Sequence, residues 1–316
     1  MKIVFLSPLF FPHIGGVEKH VYLLSRELIK KGHEVTVITY RFDSELKSRE
    51  AVDGIKVVRF DYPKKKFIGL FYIWHFLWLK RSLLMESDVI HIHDVFIWYL
   101  PFRFVYPYIK VYTTIHGYEP NNPFSAISVF QKKLAVKFSN GTIGVGKFLE
   151  KYIGIRFDLI IYGATNTFGV NKKHKNTIVF IGRLSKDTGV LKFLKKNKQS
   201  LSLRDKEKYR VDFVGDGEYR YECEKFGAVH GFTNPEKFLK KSQYAVPGGY
   251  LACLESFAAK CKVKVFWSDN LKKDYWQMSP MYKFIKNGDV DGAYEWVKEQ
   301  SWKKLAEEYV KLWNLV

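Results

Sequence analysis

Apolar residues fall into two rhythms along this chain. Continuous runs at residues 2–6, 34–40, 56–60, 89–93, 111–115 and 142–145 predict buried strands. Between several of them, at 17–31, about 67–84 and 124–138, apolar positions return every three or four residues and predict helices. Such alternation builds a mainly parallel, doubly wound α/β sheet that binds ligands outside the carboxyl ends of its strands. Gly32 follows the first helix as its expected C′ residue, because glycine enters the left-handed region cheaply. Around 163–175 the pattern breaks into a polar, basic stretch, and strands resume at 177–181, 210–214, 243–246 and 263–266. Two α/β domains joined at that stretch are expected. The last periodic segment, 302–315, repeats apolar residues from Leu305 to Trp313 and needs a surface to pack on.

Each half also runs a strand through glycines into a helix. In KIVFLSPLFFPHIGGVEKH, Gly15 and Gly16 lack a Cβ, so a ligand can approach the main chain, and backbone amides there suit a phosphate. An ordinary strand-to-helix turn is the alternative. In IVFIGRLSKDTGVLKFL a cation is added: Arg183 follows the strand, beside a helix expected to begin near Thr188, and can clamp a pyrophosphate with two parallel bonds. VDFVGDGEY ends another strand in a Gly-Asp-Gly turn. PGGYLACLESFAA places Glu255 among apolar neighbours within a helix. A carboxylate there needs a partner, either a ribose diol or a nearby lysine or cap.

Charge narrows the choice of partner. Against 32 acidic residues stand 52 lysines and arginines, a formal net charge of +20. Nucleic acid, anionic lipid and phosphorylated small molecules all fit such a field, but no zinc-finger spacing or RNA-reading strand motif is present. The segment between Lys64 and Arg81 sets a run rich in Phe and Trp between basic ends. It is too short to span a bilayer, and it reads either as a helix on the sheet or as an interfacial helix with Trp74 and Trp78 at headgroup depth. Cys223, Cys253 and Cys261 form no C-x-x-C pair, and the apolar start lacks the features of a signal peptide. A cytoplasmic setting is expected, with peripheral contact at the inner face of the membrane.

Histidines mark the strand ends of the first half. His91 and His93 alternate onto one face of a strand, where a structural role is favoured over a metal pair for want of a third ligand. His116 ends a strand beside Gly117, where ligands bind in such sheets. His13 shapes the glycine loop, and Asp94 either steadies a strand end or faces an acceptor.

Taken in order, GGVEKHVYLLSREL, DVIHIHD, TTIHGYE, IGRLSKDTG, VGDGE, CLESFAAK and SWKKLAEEYVKLW resemble the GT-B glycosyltransferases of family 4, retaining enzymes that use nucleotide-sugar donors. The resemblance covers nearly the whole chain. It implies two Rossmann-like domains with a cleft between them: an acceptor-side domain over 1–165, a donor domain over 166–300, and a closing helix over 301–316 that returns to the first domain. By position it places Gly15 and Gly16 against the donor phosphates and His116 near the donor sugar. Arg183 holds the diphosphate, the backbone of Gly249, Tyr250 and Leu251 caps it, Glu255 takes the ribose and the backbone near Phe232 meets the base. His116 and Arg183 are the implied catalytic residues. No cofactor and no metal are implied, because cations and helix N-termini neutralise the leaving diphosphate.

Two positions depart from that pattern. Thr188 stands where the family has a lysine, with Lys186 nearby but out of register, and Pro247 stands where it has a first glutamate. The resemblance therefore leads to a hexosyltransferase acting on a glycan or lipid-linked acceptor. A GT-B protein that binds nucleotide or glycan without transfer is the alternative, and nucleic acid is the least favoured partner.

Overall fold

The computed structural model describes residues 1–61, 68–117, 124–167, 169, 172–198 and 209–315. It divides into two units, Met1–Ile161 with Trp302–Val316, and Tyr162–Ser301. The first runs β1 (Lys2–Ser7), α1 (Gly16–Lys30), β2 (Glu34–Tyr40), β3 (Arg49–Val52), β4 (Ile55–Phe60), α2 (Gly69–Leu79), α3 (Arg81–Met85), β5 (Val89–His93), α4 (Phe96–Val105), β6 (Val111–Ile115), α5 (Ala126–Phe138), β7 (Gly141–Val145), α6 (Phe148–Ile153) and β8 (Leu159–Ile161). The second runs β9 (His174–Ile181), a 3₁₀ turn (Lys186–Thr188), α7 (Val190–Asn197), β10 (Arg210–Val214), α8 (Arg220–Glu224), β11 (Ala228–Val229), α9 (Glu236–Leu239), β12 (Ser242–Pro247), α10 (Tyr250–Ala258), β13 (Lys262–Val263), α11 (Asn270–Gln277), α12 (Met281–Asn287) and α13 (Val290–Lys298). The closing helix α14 (Trp302–Asn314) belongs to the first unit.

In the first unit eight strands lie in the order β3-β4-β2-β1-β5-β6-β7-β8, all parallel except β3 against β4. The order reverses at β1, which pairs β2 on one side and β5 on the other, so its ligand crevice lies where β1, β5 and β6 end. Side-chain alternation sorts the two faces. Leu6, Ile90 and Ile92 point to a core filled by Ile73 and Leu77 of α2, Leu84 of α3 and Tyr99 of α4. Phe5, His91 and His93 point the other way, where Phe5 and His91 meet the Trp313 ring of α14.

In this unit α6 and β8 were not expected from the pattern, and three further elements differ from it. The helix expected over 67–84 is broken at Lys80, which caps α2, and α3 then turns Leu84 into the same core; residue 67 lies outside the described residues. The apolar run at 96–105, unassigned by its pattern, is α4 in spite of Pro101. Proline has no N–H for the Ile97 carbonyl four residues back, and the Trp74 indole donates to that carbonyl at 3.0 Å instead. Trp74 is thus an inward anchor, which fits the reading of this segment as a helix on the sheet, whereas Trp78 is 46% exposed. β3 carries no apolar run of its own, being a four-residue edge strand with two charged residues.

The second unit has five parallel strands in the order β11-β10-β9-β12-β13, with its reversal between β9 and β12. β13 covers two residues rather than the expected 263–266.

Candidate functional site

The first unit gathers its candidate residues at the reversal point. Gly15 is the N-cap of α1 and Gly16 its first residue. A Cβ on Gly15 would sit 2.2 Å from Glu18 Oε2, so glycine there lets the Glu18 carboxylate fold back on the helix N-terminus, where the dipole favours a negative charge. His13 Nδ1 pairs with Glu18 Oε1 at 2.7 Å and holds it there. Gly16 by contrast faces open space. Asp94, in the left-handed region at φ 64, accepts the His116 amide at 2.8 Å and so closes the ends of β5 and β6 together.

Behind these ends lies a chain of hydrogen bonds whose direction can be derived. An indole can only donate, and Trp313 Nε1 lies 3.0 Å from His91 Nδ1. Burial holds the His91 imidazole well below its ordinary pKa, so it is neutral and its own proton is on Nε2. That N–H donates to Thr114 Oγ1 at 2.7 Å, the Thr114 hydroxyl donates to the Tyr309 oxygen at 2.9 Å, and Tyr309 donates to His20 Nε2 at 2.9 Å. His20, also pushed well down by burial, therefore carries its proton on Nδ1. Five side chains from α1, β5, β6 and α14 thereby satisfy one another inside the unit.

A second pair reaches the strand ends. His93 Nδ1 lies 3.0 Å from His116 Nε2, and the buried His93 Nε2 has no partner among the described residues. A buried orphan acceptor is tolerated better than a buried orphan N–H, which puts the His93 proton on Nδ1, donated to His116. His116 then carries its proton on Nδ1, and desolvation brings its pKa down to about 3. At neutral pH it can donate a hydrogen bond but cannot act as a general acid through an imidazolium.

In the second unit the ends of β9, β10 and β12 are packed through glycines. Gly182, at φ 147, would bring a Cβ within 3.2 Å of Gly248 Cα, and a Cβ on Gly215 would fall 1.9 Å from the Gly182 oxygen. Arg183 stands at this junction with 45% of its side chain exposed, one N–H donating to Asp187 Oδ2 at 3.0 Å. Lys186 is exposed on the 3₁₀ turn, and its amide donates to Glu218 Oε1. The α7 helix begins at Val190, after that turn.

Two more of the expected donor positions have these surroundings. Of the backbone at Gly249, Tyr250 and Leu251, expected to cap a diphosphate, the Tyr250 amide is already taken by the Tyr275 hydroxyl at 2.7 Å, with the two rings stacked 3.8 Å apart. Glu255 is half-buried on α10, while Cys253, Leu254 and Phe257 of the same helix are buried. Phe232 is exposed in the loop after β11, which a Gly215–Gly231 bridge ties to the end of β10.

Sequence reasoning missed Tyr309, Thr114 and His20, whose bonds join residues up to 289 positions apart. It also missed Lys272 of α11, which looks like one of many surface lysines but is buried against Gly248. Among the described residues no group of three or more His, Cys, Asp or Glu is placed to hold a metal ion.

Comparison with known proteins places this architecture. Sucrose-phosphate synthase from Thermosynechococcus elongatus superposes with a TM-score of 0.74 at 13% identity, covering 99% of this chain and 98% of that one. S. aureus TarM, in a complex with fondaparinux, α-GlcNAc-glycerol and UDP, gives 0.67 at 12% identity, covering 99% of each chain. The chain has the GT-B fold of two Rossmann-like domains. Residues 14–160 match the model described as Glycosyltransferase Family 4, and the first unit belongs to that family. The GPI3 component of the phosphatidylinositol N-acetylglucosaminyltransferase of Saccharomyces cerevisiae is 42% identical over 56 residues, 18% of this chain and 12% of that protein. A human phosphatidylinositol N-acetylglucosaminyltransferase component is 34% identical over 97 residues, 29% of this chain and 19% of that protein. The first curated relatives are thus matched over less than a fifth of their own length.

Proposed function

We propose that this protein is a retaining glycosyltransferase that moves a hexose from a nucleotide-sugar to a glycan or lipid-linked acceptor. One observation carries the donor half of this reading. Three glycines let the ends of β9, β10 and β12 pack closely on one another beside a half-exposed Arg183, which sets a cation at the strand ends where doubly wound sheets bind ligands. The family of the first unit and the UDP named with TarM support it. In this reading Arg183 neutralises the departing diphosphate, and neutral His116 donates a hydrogen bond to a sugar oxygen; no metal takes part.

A thermal-shift screen with UDP-, GDP-, ADP- and dTDP-sugars tests the reading, since a ligand that binds only the native state stabilises it. One donor should raise the melting temperature and be turned over. Arg183→Ala should weaken that donor's binding by about ten- to a hundredfold, the value of a charge-assisted bond. Stabilisation without turnover would favour the binding-only alternative, to which Pro247, in place of a first glutamate, gives weight. No stabilisation by any donor would overturn both.

We also infer that the acceptor is met at an anionic membrane surface. The outward face of α2 and its leading turn is apolar, with Ile68, Phe71, Trp78 and Leu79 exposed, and Phe71 is 67% exposed. The four helices α2 to α5 carry Arg81, Arg103, Lys133 and Lys137, besides the buried Lys132, and not one acidic residue. An apolar face among bases suits anionic lipid and disfavours a second copy of itself, which would oppose like charges. Among the described residues no helix is long and apolar enough to cross a membrane. Lys64, Lys65 and Lys66 lie outside the described residues.

A further inference from the structure

The place of the family's lysine is occupied by a different kind of contact. Thr188 is buried, and its one hydroxyl proton is shared between the Ser185 carbonyl at 2.7 Å and the Arg183 carbonyl at 2.9 Å. Its Cβ and methyl group stand where a Cβ on Gly248 would come within 3.2 Å. The side chain here closes the loop and packs the Gly248 turn, leaving no charge at this position. A cation nevertheless reaches the same strand ends from another element. Lys272, in the first turn of α11, is 3% exposed, and its Nζ donates to the Gly248 oxygen at 2.8 Å.

We propose that Lys272 supplies the second positive charge of a diphosphate site at the ends of β9 and β12, in the role of the lysine absent at position 188. The inference rests on the donor-binding reading above and adds to it a residue from a different part of the fold. Its physical basis is the cost of the arrangement. An ammonium taken out of water loses several kcal/mol of hydration, so its burial at this turn is costly. The neighbours whose charges reach it are Asp187 and Asp269, which favour its charged form, and Arg183, which opposes it. The Tyr275 ring lies 4.0 Å from the ammonium and adds a cation–π contact. Desolvation prevails and brings the pKa down to about 8, so the group stays charged at neutral pH but close to losing its proton. A dianion brought in beside Arg183 reverses that balance, because it attracts both cations and offsets their mutual repulsion. Coulomb attraction depends on where the charge stands and not on which helix delivers it, so a lysine from α11 can replace one from the loop after β9.

Lys272→Met tests this, since it keeps the length and apolar stem of the side chain and removes the charge. UDP, GDP, ADP and dTDP, each paired with its nucleoside, are titrated calorimetrically into the full chain. Wild type should bind one diphosphate more tightly than its nucleoside. The variant should lose about tenfold or more in diphosphate affinity, with nucleoside affinity unchanged. Equal losses for both ligands, or no loss for the diphosphate, overturn the role of Lys272 and leave the donor reading standing. A wild type that binds no diphosphate overturns both. Should the variant not fold, wild type alone decides: raising the pH from 7 to 9 should weaken diphosphate binding and spare the nucleoside, and a flat diphosphate profile overturns the proposal.

Discussion

His116 shows what a single residue's surroundings decide. Its position beside Gly117 was legible in the sequence, because a histidine at the end of a buried strand stands where doubly wound sheets bind ligands. Its protonation state was not legible, because that depends on His93 Nδ1 and on the orphan His93 Nε2 behind it. We expect ¹⁵N chemical shifts at pH 6 to show His116 neutral and protonated on Nδ1. His93→Phe keeps a ring of similar size and removes the donor. It should let the other tautomer appear and cost about 0.5–1.5 kcal/mol of stability, the net worth of one hydrogen bond. An imidazolium at pH 6, or an Nε2–H tautomer in the wild type, would refute the assignment. Lys272 was illegible for a related reason: nothing in LKKDYWQ distinguishes its first lysine from its second, and only the packing of α11 against the Gly248 turn buries one of them.

Among the elements, α2 carries the clearest test. Its sequence is apolar all round, which by itself fits a helix buried on every side or one lying in an interface. Packing separates the two faces: Ile73 and Leu77 enter the core, while Phe71, Trp78 and Leu79 stay outside. The full chain should therefore co-sediment with vesicles containing anionic lipid at low salt, bind neutral vesicles weakly, and shift its tryptophan emission to the blue on binding. Phe71→Ser with Trp78→Ser should remove about 3 kcal/mol of apolar insertion or more, roughly a hundredfold in partitioning, without disturbing the fold. Equal binding by this variant, or concentration-dependent self-association in place of lipid binding, would sink the membrane reading. Most of the strands and their mainly parallel, doubly wound arrangement followed from hydrophobic rhythm, whereas the strand order did not. The break at Lys80 and the proline inside α4 did not, because each is decided by a tertiary contact, Leu84 in the core and Trp74 on the Ile97 carbonyl.

At the scale of the whole molecule, the closing helix is held to the first unit by groups that tolerate no extra proton. Tyr309 and Trp313 of α14 meet His20, Thr114 and His91, and in each neutral imidazole the nitrogen that accepts would be lost on protonation. His20, His91 and His93 lie well below the ordinary value of 6.5, and His116 at about 3, each chiefly through burial. The sign follows from linkage. Once unfolded, these histidines take up protons near pH 6.5, whereas folded they do so only at much lower pH. The unfolded state thus binds more protons in that window, and stability falls as the pH falls. Each histidine contributes about 1.4 kcal/mol per pH unit once below its unfolded pKa, so four together give a slope far beyond a single site. All four belong to the first unit, which also holds α14. Calorimetry between pH 7.5 and 5.5, above the range where carboxylates titrate, should show the first unit's transition moving down steeply below about pH 6.5. His91→Gln should reduce that slope by about one proton, while costing stability at every pH through the broken chain. A transition that stays flat from pH 7.5 to 5.5 would mean that these histidines accept protons in the folded protein, and the hydrogen-bond directions assigned to the α14 seam would then be wrong.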